Sequence, residues 1–76
     1  MSKQLDTLDH LATLTPGWDS YGAAAIDKRC IADCRLLLEM LRPEWSQQAI
    51  IVPTSSGGVQ VEWHMAITDL EVEINP

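Results

Sequence analysis

Cys30 and Cys34 have the C-x-x-x-C spacing that can bind a metal ion or form a redox pair. Only His10 and His64 could complete a set of four ligands, and neither has a partner at zinc-finger spacing. Both cysteines also lie on the apolar stripe of a predicted helix, where they can serve as small core residues. We therefore predict neither a metal site nor any other cofactor.

Hydroxyl and carboxyl groups offer the remaining routes to catalysis. A nucleophilic mechanism would need a hydroxyl beside a base, and the candidates are Ser20, Ser55, Ser56 and His64. No triad signature surrounds them, and the S-S-G-G segment lacks the lysine and following helix of a phosphate-binding loop. Glu62 and Glu71 could form an acid–base pair, but an open sheet face would keep both ionised. The sequence therefore predicts a protein that is not an enzyme.

Size and charge limit the classes of partner. The 76 residues suffice for one small domain, residues 1–76, with a formal net charge of −6. Residues 49–76 contain no Lys or Arg, and their acidic residues are Glu62, Asp69, Glu71 and Glu73. Without clustered basic residues the chain is not expected to bind nucleic acid directly. It can instead bind a basic protein partner, such as the nucleic-acid-binding face of another protein.

The start of the chain does not resemble a signal peptide, because Asp6 and Asp9 interrupt the apolar residues. No apolar run approaches the ~20 residues that span a membrane. We predict a cytoplasmic protein without membrane contact.

Two helical patterns come first in the chain. Leu5, Leu8 and Leu11 predict a helix over residues 3–13. The longer stripe that predicts the second helix comprises Cys30, Ile31, Cys34, Leu37, Leu38 and Leu41. Asp27 is a suitable N-cap for this helix, and Pro43 should end it.

Three strand patterns follow a polar connection: A-I-I-V-P-T, V-Q-V-E-W-H and T-D-L-E-V-E-I. The turn residues between them are typical of hairpins. We predict an α+β fold in which two N-terminal helices pack on one face of a three-stranded antiparallel meander, in the order α-α-β-β-β. A sheet of this kind has two edges, and the small core would gain from a partner, so a homodimer is compatible with the sequence.

Alternation within the last hairpin assigns its side chains to two faces. Leu70, Val72 and Ile74 should be buried, whereas the other face should carry Glu62, Asp69, Glu71 and Glu73. Like charges on adjacent strands repel each other. The acidic face could be plain solvated surface, a docking surface for a basic partner or a site for a divalent cation.

The segment P-G-W-D-S-Y-G-A places two of the four aromatic residues, Trp18 and Tyr21, in a predicted loop. Because the chain has no Phe, we expect both rings to help fill the core, with the indole N–H and the phenol bonded to loop carbonyls or Asp19. The alternative is an exposed aromatic binding surface formed by Trp18, Asp19 and Tyr21.

Two motifs resemble those of a set of small bacterial and phage-type proteins. The shared pattern is P-G-W-D-x-Y-G-A followed by V-P-T-x-x-G-G-V-Q-x-E-W, and the resemblance covers about residues 12–74. It implies no activity, cofactor or catalytic residue. It does imply that the motif residues form one unit: Trp18, Asp19, Tyr21, Gly57, Gly58, Gln60, Glu62 and Trp63.

Charge and size together favour a non-enzymatic interaction protein that occupies a basic surface of a partner protein. Antitoxins and anti-defence inhibitors, anti-CRISPR proteins among them, are analogues in size and charge, although no motif links them to this chain. A small-ligand or metal-binding module that uses the Trp18–Tyr21 loop and Glu62 is the alternative.

Overall fold

Helices form the first half of the chain. The computed structural model describes residues 2–76, with side chains from Lys3 onwards, and begins with helix α1, Ser2–Leu11. Helix α2, Lys28–Met40, starts where predicted, because the Asp27 carboxylate accepts the backbone N–H of Arg29 at 2.8 Å. Within residues 2–76 no helix has the length and apolar character needed to cross a membrane.

The connection after α2 differs from the prediction. Helix α2 ends at Met40, and the backbone is extended at Leu41 and Arg42, the two residues before Pro43. Pro43 itself begins a short helix, α3, Pro43–Ser46. Proline is well tolerated in the first turn of a helix, where its missing N–H would have no intrahelical acceptor. The segment predicted to be a polar connection therefore contains one helical turn.

The second half of the chain forms an antiparallel sheet in the order β1-β2-β3. Its strands are β1, Ile50–Pro53, β2, Val59–His64, and β3, Asp69–Ile74. Val61, at the centre of β2, is paired with Ile51 on one side and Val72 on the other. The predicted α-α-β-β-β meander is confirmed.

One core lies between the helices and the sheet. Helix α1 packs on β1, and α2 packs on β2 and β3. The most deeply buried side chains come from both layers: Leu8, Cys30, Cys34, Leu38, Val59 and Val61. Trp63 is also buried, and its indole N–H donates to the carbonyl of Trp45 at 2.8 Å. The helices thus cover one face of the sheet.

The prediction that Leu70, Val72 and Ile74 are all buried is wrong. Leu70 is 45% exposed and Val72 is 37% exposed, and only Ile74 is partly buried against the core. These residues do lie on the helix side of the sheet, opposite Trp63, Val61 and Val59. β3 is an edge strand, and α1 and α2 cover the helix side of this strand incompletely.

Candidate functional site

The face of the sheet opposite the helices, here called the open face, has no covering layer among residues 2–76. Alternation and strand register give it the side chains Ile50, Val52, Gln60, Glu62, His64, Asp69, Glu71 and Glu73. The apolar members come from β1 and the acidic ones from β2 and β3. The four predicted acidic residues therefore do share one face.

Glu62 and Glu71 stand directly opposite each other on β2 and β3. Glu62 is partly buried and accepts a hydrogen bond from the side-chain amide of Gln60 at 2.8 Å, whereas Glu71 is exposed. Directly opposed like charges destabilise an antiparallel pair. The fold thus retains an unfavourable contact at the centre of the open face.

His64 is the one basic side chain of the open face. Its ring nitrogens lie 3.2 Å from an Asp69 oxygen and 3.5 Å from a Glu62 oxygen. The hydrogen bond to Asp69, aided by Glu62, raises the pKa of His64 above its ordinary value of 6.5. From the sequence, His64 was considered as a base or metal ligand but not as a partner-binding residue, although the alternation of β2 assigns it to the same face as Glu62.

Glu71 and Glu73 are both exposed on the β3 side of the open face. In the part of the chain that the structure describes, neither carboxylate is in ion-pair distance of a basic side chain. When protonated, His64 therefore compensates Asp69 and Glu62, but neither Glu71 nor Glu73. The β3 side of the open face presents uncompensated negative charge to solvent.

The aromatic loop has a structural residue and an exposed one. Trp18 packs against the core and donates its indole N–H to the Ala24 carbonyl at 2.7 Å, as predicted. Tyr21 is 92% exposed, so the expectation that its ring helps fill the core is wrong. Gly22, with φ +85°, and Ser20, with φ 66°, turn the chain sharply on either side of Tyr21.

The Asp19 carboxylate accepts two hydrogen bonds from the backbone of its own loop. One carboxylate oxygen accepts the backbone N–H groups of Tyr21 at 2.8 Å and Ala23 at 3.1 Å. These bonds, the one from Tyr21 foremost, hold the pKa of Asp19 below its usual range. Asp19 therefore fixes the backbone that presents Tyr21.

The two sequence motifs meet at one end of the sheet. The Ala24 N–H donates to the Ser55 carbonyl at 2.9 Å, and the Asp27 N–H donates to the Gly57 carbonyl at 2.8 Å. A side chain on Gly57 would lie 2.9 Å from the Ala25 carbonyl oxygen, so this contact requires glycine. The motif residues nevertheless fall in different places, since Gln60 and Glu62 lie on the open face and Trp63 lies in the core.

The cysteines are buried and free. Burial raises the pKa of the Cys34 thiol to about 11, and burial is also the main cause of the raised pKa of Cys30. A thiol with a raised pKa is a poor nucleophile and a poor metal ligand at neutral pH. From residue 3 onwards, no three His, Cys, Asp or Glu side chains form a group that could hold a metal ion.

Comparisons of the chain with protein-family models, with curated proteins and with solved structures find no match.

Proposed function

We propose that this chain is a non-enzymatic interaction protein whose open face binds a basic surface of a partner protein. A nucleic-acid-binding surface is the kind of target that suits it, since such surfaces carry clustered Lys and Arg. Occupying that surface would block it, as antitoxins and anti-defence inhibitors, including anti-CRISPR proteins, do.

The observation that carries this proposal is the opposition of Glu62 and Glu71 on a sheet face with no Lys or Arg. Lysine or arginine side chains of a partner would turn this repulsion into attraction, so complex formation relieves a cost that the free protein bears. Ile50 is exposed and Val52 is partly buried on the β1 side of the same face. Their side chains supply apolar area for a partner to cover, which acidic residues alone do not.

The test compares two charge-reversed proteins with the wild type. E71K/E73K reverses two of the four acidic charges of the open face, whereas D6K/E39K makes the same change in net charge on exposed residues of α1 and α2. Each protein is used to capture partners from cell extract, and the captured partner is then purified. Its affinity for all three proteins is measured over a range of salt concentrations.

We expect E71K/E73K to bind the purified partner at least tenfold more weakly, roughly 1.4 kcal/mol, mainly through slower association. D6K/E39K should bind nearly as tightly as the wild type, and the salt dependence should be steepest for the wild type. Equal affinity of the wild type and E71K/E73K for the purified partner would refute the proposal.

Tyr21 supports a second contact site. Tyr21 is exposed on a loop that hydrogen bonds from Asp19 and Trp18 hold in place. Tyrosine is one of the residues enriched at the hot spots of protein interfaces. Y21A would then weaken partner binding while E71K/E73K would not. A small-ligand or metal-binding role of this loop, the alternative from the sequence, has less support, because the Asp19 carboxylate is engaged by backbone N–H groups.

A further inference from the structure

The outer edge of β3 is the longer open edge of the sheet. β3 has six residues and pairs only with β2 among residues 2–76, whereas β1 has four residues and ends at Pro53. Short length and proline are two of the devices by which proteins protect an edge strand from pairing with another chain. β3 contains neither proline nor lysine, and the backbone N–H and C=O groups on its outer side pair with no other strand among residues 2–76.

Exposed apolar side chains lie along the helix side of this edge. Leu70 and Val72 are exposed there, and α2 is the helix that contacts β3. Arg35 of α2 forms a salt bridge with Asp9 of α1 at 3.1 Å. The side of α2 that carries Arg35 therefore faces α1. Met40 is roughly 140° further around the helix and is also exposed, on the flank away from α1. A strand added to β3 would cover Leu70 and Val72.

Acidic side chains occupy the other side of the same edge. Asp69, Glu71 and Glu73 alternate with the apolar residues and point to the open face. Antiparallel pairing of β3 with a second copy of β3 would set these carboxylates opposite one another, which is unfavourable. A strand that carries lysine or arginine at alternate positions would instead place a cation beside each carboxylate.

We propose that the β3 edge binds an extended segment of the partner in which basic and apolar residues alternate. Its basic side chains lie beside Asp69, Glu71 and Glu73, and its apolar side chains cover Leu70 and Val72. Backbone hydrogen bonds to β3 supply affinity, and the alternation supplies specificity, as in other cases of strand addition. This inference rests on the proposed function and specifies the form of the basic partner.

The probe is a capped peptide of four Lys-Val repeats, used at concentrations where light scattering shows it to be monomeric. Two derivatives carry N-methyl groups on either the odd-numbered or the even-numbered amides, and a fourth peptide joins a block of lysines to a block of valines. Because alternate amides of a strand point to the same side, only one methylated derivative can bond to β3 in the antiparallel direction, which is the more stable pairing. Affinity is measured by titration, and the amides of β3 are followed by hydrogen exchange.

We expect the alternating peptide and one methylated derivative to bind, and the other derivative to bind about tenfold more weakly. The block peptide should also bind more weakly, and E71Q/E73Q should weaken binding of the alternating peptide. The outward amides of β3 should exchange more slowly in the complex. Exchange protection confined to β3 would separate strand addition from contact with the open face.

Three results would overturn the inference. If all four peptides bind equally and E71Q/E73Q weakens them all, the open face binds basic chains without strand addition, and the proposed function survives. If no peptide binds at low salt, both proposals fail. If the free protein is a dimer whose β3 amides are already protected, the edge is occupied by a second copy of this chain.

Discussion

Glu62 and Glu71 face each other across β2 and β3, whereas Glu73 faces the uncharged Gln60. The two glutamates of β3 therefore differ in their cross-strand partner while both remain exposed on the same strand face. This difference allows the repulsion within the open face to be measured separately from the general effect of negative charge.

Removing the charge of Glu71 should stabilise the free protein. We expect E71Q to raise the free energy of unfolding by about 0.2–1 kcal/mol at neutral pH and low salt, because it removes a directly opposed like charge. E73Q, the matched control, should change it less, and added salt should reduce the difference between them. Urea denaturation of both variants makes this measurement. A loss of stability in E71Q would mean that Glu71 makes a favourable contact within the sheet.

His64 should titrate above pH 6.5 in the folded protein, because the Asp69 and Glu62 carboxylates favour its charged form. A raised pKa in the folded state means that the contribution of His64 to stability is full below pH 6.5. That contribution is lost as the pH rises through the folded pKa. The difference in stability between the wild type and H64Q should therefore shrink at alkaline pH. NMR titration gives the pKa directly; D69N should lower it, and a value at or below 6.5 in the wild type would contradict the prediction.

Truncation of the two loop aromatics should affect stability to very different extents. W18A removes a ring that packs on the core and donates to Ala24, so it should destabilise the protein by about 2–4 kcal/mol, near the lower end of values for buried rings. Y21A removes an exposed ring and should change stability by less than about 0.5 kcal/mol. Thermal denaturation of the two variants decides this, and comparable losses would show that Tyr21 also packs on the protein.

Helices α1 and α2, the three strands and their order could be predicted because periodic apolar residues and local turn chemistry determine them. Asp27 as N-cap and the alternation of V-Q-V-E-W-H are local signals, and both were sufficient. The exposure of Leu70 and Val72 could not be predicted in the same way. It depends on how far the helices extend across the sheet, and alternation reports only the side on which a residue lies.

Only the part of the candidate site that depends on strand alternation could be predicted from the sequence. Alternation correctly grouped Glu62, Asp69, Glu71 and Glu73 on one face. The role of His64 depends on the register of the β2–β3 hairpin, which sets it opposite Asp69 and beside Glu62. The position of Tyr21 depends on two positive φ angles around it, and a serine at one of them gave no strong signal of such a turn.

Adjacent leucines of α2 should differ in their cost of truncation. Leu38 is fully buried and Leu37 is partly buried at the margin of the core. L38A should destabilise the protein by about 2–5 kcal/mol and L37A by less, since a partly exposed site leaves a smaller cavity. Chemical denaturation of both variants measures the difference, and circular dichroism will show whether L38A still folds. An L38A denaturation curve that overlaps that of the wild type would mean that the apolar stripe of α2 does not face the core.

Neutralising β3 should make the protein self-associate through its edge. At neutral pH the wild-type strand resists pairing with another copy of itself, because Asp69, Glu71 and Glu73 would be set against the same residues of the second chain. D69N/E71Q/E73Q retains the size and polarity of these side chains and the exposed Leu70 and Val72, but removes the repulsion. We expect this variant to dimerise or aggregate at micromolar concentration, with slower hydrogen exchange of β3 amides. The control variant D6N/E39Q should behave like the wild type in light scattering. A monomeric triple variant would show that charge is not what keeps the β3 edge from self-pairing, and a homodimer of the wild type would then have to use another surface.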